Sequence, residues 1–141
     1  MRKKNLVFIF GPVVFWMAVI FGFSSMPTVK TDMVYWWDFV IKKTAHLVEY
    51  FVLTILLYRG LLYYEGKGFS KKKILIVCVI FIFLYGASDE IHQSFTPGRE
   101  ARFRDVVVDT AGSLIGLWYI KNSFPIAPRK LVRWVLGGQK S

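Results

Sequence analysis

This chain is short of acidic residues, of cysteine and of every short motif that announces soluble chemistry. Nine Asp and Glu stand against nineteen Lys and Arg, a formal net charge of +10. A basic excess points to nucleic acid when it gathers on one face or one helix. Here it lies in clusters that flank apolar runs, the distribution of the positive-inside bias, so nucleic acid is not an expected partner. The one cysteine, Cys78, sits inside an apolar run. Alone it closes no intramolecular disulfide, and nothing beside it activates the thiol, so it reads as packing. No internal repeat, low-complexity segment, HExxH zinc signature, glycine-rich phosphate loop or Ser-His-Asp motif is present. With 141 residues there is room for one domain, residues 1–141, and no more.

What is abundant is apolar surface: 55% of the residues are hydrophobic and 18% aromatic. Leu6 to Phe23 carries no charge. It is longer than the core of a cleavable signal peptide, and Ser24-Ser25-Met26-Pro27 is a weak cleavage site, so a retained membrane-spanning helix over 6–24 is expected. Gly11-Pro12 near its start is tolerable in such a helix. Residues 24–43 read as a loop in which Tyr35, Trp36 and Trp37 anchor at the membrane interface. Further spans are expected at about 44–63, 74–93 and 105–124. A basic loop from Arg59 to Lys73 follows the second, and Pro125 and Pro128 stop the fourth. The tail, 129–136, reads as a basic amphipathic helix on an anionic membrane face.

The expected fold is therefore all-α, an integral membrane four-helix bundle. Its orientation follows from the basic residues. Thirteen fall at the N-terminus, between Arg59 and Lys73, and from Lys121 onward, while six fall in the other two loops. That split places both termini in the cytoplasm. Of the nine acids only Glu65 lies on the inner side. The stretch SDEIHQSFTPGREARFRD (88–105), with seven formal charges and a histidine, then faces outward from the cell membrane.

The polar residues of the spans fall into stripes. His46, Glu49 and Tyr50 share one helix face, as do Asp89, His92 and Gln93 with Tyr85 one turn below. Asp105, Asp109, Gly112 and Gly116 make a third stripe, and the GxxxG pair lets another helix come close beneath the acids. An ionisable group at membrane depth costs roughly 2.5–3.5 kcal/mol on insertion scales and usually faces the bundle interior. The three stripes are thus expected to converge on one pocket. Each also has a plainer reading. His46 and Glu49 can bond each other near the surface, Asp105 can be an N-cap, and Thr96-Pro97-Gly98-Arg99 is a turn whatever else it does. Asp109, one turn deeper by about 6 Å, is harder to account for in that way. Arg99, Arg102 and Arg104 sit where the bias disfavours positive charge, so they pair with the acids or meet an anion such as a lipid or cell-wall phosphate. A divalent metal among the two histidines and the carboxylates is a second use of the same residues.

The segments KTAHLVEY (43–50), SDEIHQSFTPGR (88–99) and D-x-x-x-D-x-x-G (105–112) resemble the VanZ-like proteins, over positions 43–116. The first helix and the tail carry none of this pattern. The matching residues are Lys43, His46, Glu49, Tyr50, Asp89, Glu90, His92, Gln93, Arg99, Asp105, Asp109 and Gly112. The resemblance implies a small membrane protein of the bacterial envelope associated with glycopeptide (teicoplanin) resistance. On an enzymatic reading Asp89, His92 and His46 do acid–base work. Glu49, Asp105 and Asp109 position water or a metal. Tyr50, Glu90, Gln93 and Arg99 bind the substrate, with Arg99 on its anionic group. Expected partners are membrane lipids and a lipid-linked cell-wall precursor. The rivals are a non-catalytic binding or assembly factor, and a small carrier, for which four helices are few unless the protein forms a homo-oligomer.

Overall fold

The computed structural model describes residues 6–26, 35–65, 70–97 and 103–122. They form four α-helices: α1 (Leu6–Ser24), α2 (Tyr35–Glu65), α3 (Lys71–Gln93) and α4 (Phe103–Asn122). Among the described residues, α1, α3 and the Val40–Tyr64 part of α2 are long and apolar enough to cross a membrane. Helix α4 falls short of that because Arg104, Asp105, Asp109 and Lys121 crowd its 20 residues. The amphipathic tail expected at 129–136, and both Arg99 and Arg102, lie outside the described residues, as do the side chains of Tyr35 and Trp36.

Two helix starts differ from expectation for simple reasons. Helix α2 begins at Tyr35 rather than near Thr44. No Gly or Pro stands between Tyr35 and Lys43 to break it, so the aromatic segment continues into the span as one rod about 46 Å long. Helix α3 begins at Lys71 because Ser70 caps it. The Ser70 backbone is extended (φ −67°, ψ 144°) and its hydroxyl accepts from the Lys73 N–H at 3.3 Å.

The helices alternate in direction. Helices α2 and α3 form a central pair, and α1 and α4 flank it, making no contact with each other. The most extensive contact is the parallel one between α2 and α4, and its cause is the glycine pair. A Cβ added to Gly112 would stand 2.5 Å from the Leu47 carbonyl oxygen, and one added to Gly116 3.2 Å from that of Phe51. Only a residue without a side chain permits that approach. The core holds Ile20, Tyr50, Leu53, Leu57, Cys78 and Ile82. Phe8, Phe15, Ile80, Leu84 and Trp118 are turned outward. A bundle with bulky apolar side chains on its exterior suits a hydrocarbon surrounding rather than water.

Candidate functional site

The alternating topology brings the end of α1, the early turns of α2, the end of α3 and the start of α4 to one end of the bundle. That end carries both histidines and the acids Glu49, Asp89, Glu90, Asp105 and Asp109. Two groups of contacts organise it.

The first joins α2 to α4. Lys43 forms an ion pair with Asp105, both partly exposed at the rim. Asp105 is the third residue of α4, so it lies in the first turn rather than at the N-cap, where its charge still complements the helix dipole. One turn further in on both helices, His46 Nδ1 stands 3.4 Å from Asp109 Oδ1. That is ion-pair range but longer than an aligned hydrogen bond of about 2.9 Å, and neither oxygen of Asp109 has a hydrogen-bond partner. Asp109 is 1% exposed. The Tyr50 ring lies one turn below His46, stacked on it with ring centres 6.5 Å apart, and Tyr50 is fully buried. Its hydroxyl, like that of Ser113 one turn below Asp109, has no hydrogen-bond partner.

The second group joins α3 to α1. Ser24, buried, donates to Asp89 Oδ2 at 2.7 Å, and Gln93 Nε2 donates to the same oxygen at 2.7 Å and to Ser24 Oγ at 3.2 Å. His92 stacks on Phe21 with ring centres 4.1 Å apart, and its Nε2 is 3.0 Å from Ser25 Oγ. Such a distance can mark a nucleophile and its base. Here the Ser25 hydroxyl donates to the Phe21 carbonyl at 2.7 Å, so its proton is committed and the imidazole is the donor.

The two groups meet at Gly86. A Cβ placed there would lie 3.5 Å from Asp109 Oδ2 and 3.6 Å from the Tyr50 ring. Tyr85 packs beside Tyr50 at 6.0 Å and donates to the Met17 carbonyl at 2.8 Å. Asp89, one turn above Gly86, is within electrostatic reach of both His46 and Asp109.

Of the residues singled out from the sequence, His46, Tyr50 and Asp109 are brought together directly, Asp105 pairs with Lys43 one turn above, and Asp89 and Gln93 bond each other on α3 above Gly86. His92 is engaged by α1, and its contacts are not those of His46. Glu49 is partly buried, and its carbonyl accepts from Trp16 Nε1 at 2.9 Å. Glu90 is buried at 4% exposure. Among the described residues no three His, Cys, Asp or Glu side chains come together as a metal centre. Sequence reasoning missed Ser24 and Ser25, which it weighed only as part of a weak cleavage site at the end of the first span. It also left Gly86 out, although a glycine one turn below Asp89 in an apolar helix is the signal for a close approach.

A family profile described as VanZ/LLP1 matches residues 8–124. The match takes in α1, where the sequence pattern alone gave no sign of a family. No curated protein and no solved structure matches the chain.

Proposed function

The chain belongs to the VanZ-like family, and from that premise we propose that it is a multi-pass protein of the bacterial cell membrane. In this reading all four helices cross, both termini are cytoplasmic, and the polar end of the bundle opens outward to bind or act on a lipid-linked or cell-wall molecule. Association with teicoplanin resistance follows the family. The observation that carries the reading is the His46–Asp109 pair. A carboxylate 1% exposed, with neither oxygen hydrogen-bonded, is an expensive thing to keep between apolar helices. A buried, unsatisfied ionisable group inside a membrane helix calls for an explanation, and function is the first one to test.

The roles follow from position. His46 exchanges a proton with the bound molecule, and Asp109 orients and stabilises its imidazolium. The Lys43–Asp105 pair frames the rim, and Arg99 receives an anionic group with its two-pronged guanidinium. Asp89 and His92 stand on the α1 side. Their network of Ser24, Gln93 and Ser25 favours a second reading, in which this half of the cluster is structural and the protein is a non-catalytic binding or assembly factor.

The test is to express full-length wild-type, His46→Gln and Asp109→Asn proteins at equal membrane levels in a teicoplanin-susceptible bacterium. Tolerance should rise with the wild type and be lost in both variants. If both variants match the wild type, the pair is packing and the outward site is not where the function lies.

A further inference from the structure

Among the described residues, buried oxygens without a hydrogen-bond partner occur on three helices around Gly86. Asp89 Oδ1, both oxygens of Asp109, the Tyr50 hydroxyl and the Ser113 hydroxyl are each buried and without a hydrogen-bond partner. Each of these four residues is at most 2% exposed. Tyr50 is the independent indication that the carboxylates form a site rather than two accidents. Its ring and Asp109 Oδ2 meet over the bare backbone of Gly86, and its hydroxyl lies within electrostatic reach of Asp109 and Asp89 alike. Three helices, α2, α3 and α4, thus supply oxygens to successive turns around Gly86.

Charge makes the direction of the deficit clear. Among the described residues, the donors to Asp89 are Ser24 and Gln93, both neutral, and no ion pair reaches it. Asp109 has the imidazole of His46 at 3.4 Å, and Lys43, paired with Asp105 at the rim, acts on it from further away. Among the described residues, one imidazole and one distant ammonium thus face two buried carboxylates, and a buried charge left uncompensated is destabilising. Among the described residues, no positive group contacts several of these oxygens at once. Zinc and the later transition metals favour nitrogen or thiolate ligands, and among the described residues no three His, Cys, Asp or Glu side chains come together as a metal centre. Carboxylate and hydroxyl oxygens instead suit a hard ion or an N–H-bearing cation.

We propose that Asp89, Asp109, Tyr50 and Ser113 form a buried site for one monovalent cation. It enters either free, as Na+ or K+, or as the ammonium group of an amine-bearing lipid. Nothing in this depends on the outward ligand proposed above. The cation sits beneath the His46–Asp109 pair, on the side of Asp109 that lies over Gly86.

The experiment uses the full chain in lipid nanodiscs and reads thermal stability. In phosphatidylcholine discs, Na+ and K+ are titrated against N-methyl-D-glucamine at constant ionic strength. In a second arm the discs contain phosphatidylethanolamine, whose headgroup has N–H donors that phosphatidylcholine lacks. A saturable rise in Tm of about 5 °C in the first arm identifies a free cation, and one in the second arm alone identifies the lipid ammonium. Asp109→Asn, which removes the charge and keeps the shape, should abolish the rise and raise the cation-free Tm. If Asp109→Asn does not fold, Ser113→Ala, which removes one oxygen and no charge, should shift the midpoint of the wild-type titration upward. A Tm indifferent to Na+, K+ and phosphatidylethanolamine, or moved only by pH, overturns the proposal. It would do so whatever the teicoplanin assay had shown.

Discussion

The Asp89 carboxylate is fastened on one oxygen and bare on the other, and the fastening comes from a helix that looked unrelated. Ser24 closes a three-way contact with Asp89 and Gln93, at 2.7 and 3.2 Å. Removing a buried donor leaves its acceptor short by roughly 1–3 kcal/mol, so Ser24→Ala should lower the Tm of the purified protein by several degrees. Ser25→Ala, at an exposed position, should change it little. Equal effects at the two positions would mean that the end of α1 matters as a whole and that the Asp89 contact does not. His46, Tyr50, Asp89 and Asp109 were legible as candidates because ionisable or hydroxyl side chains stand out at helical spacing in apolar runs. Ser24 was not, because a serine at the end of a span is common and its partner lies 65 residues away. No local pattern carries that separation.

Helices α2 and α4 are where spacing in the sequence converts most directly into packing. Gly112 and Gly116, four apart, put bare backbone on the face that bears Asp105 and Asp109, and α2 lies against it. Gly112→Ala should therefore be severe: its Cβ would meet the Leu47 carbonyl, Cα and C at 2.5, 3.1 and 3.2 Å, all backbone that cannot rotate away. Separating the helices there also pulls His46 from Asp109. Gly22→Ala has nothing within 4 Å of the new methyl and gains helix propensity of about 1 kcal/mol. Membrane yield and Tm of the two variants should differ sharply, with Gly112→Ala low and Gly22→Ala at or above wild type. Similar behaviour would remove the close approach as the organising contact. The glycine pair and the three stripes were readable because helix periodicity is strict. The start of α2 was not. Aromatic residues at an interface look alike whether they lie in a loop or open a helix, and only the lack of a breaker up to Lys43 separates the two cases.

At the scale of the whole molecule, the four helices can be fixed in place by their charges. Three are apolar enough to cross without help. Helix α4 enters on different terms: Asp105 is paired with Lys43, Asp109 faces His46, and the outward side of the helix carries Val107, Leu114, Ile115 and Trp118. Within the span Asp109 and Ser113 are buried, the exposed Arg104 and Lys121 stand at its two ends, and its outward side is apolar, so a crossing is compatible with the cost of charge in a bilayer. If α4 crosses as proposed, the thirteen-to-six division of Lys and Arg predicts residues 1–5, the segment around Ser70 and the tail on the cytoplasmic side, and Gly98 outside. The measurement is labelling of single cysteines at positions 70, 98 and 139, in a Cys78→Ala background, with a thiol reagent that does not cross the membrane. Intact cells should label position 98 alone, and all three should label once the membrane is opened. Labelling of 70 but not 98 from outside would invert the protein and place the His46–Asp109 end in the cytoplasm. Labelling of both 98 and 139 would mean that α4 does not cross. Its apolar side would then lie along the membrane surface, and an outward pocket enclosed by four crossing helices would no longer stand.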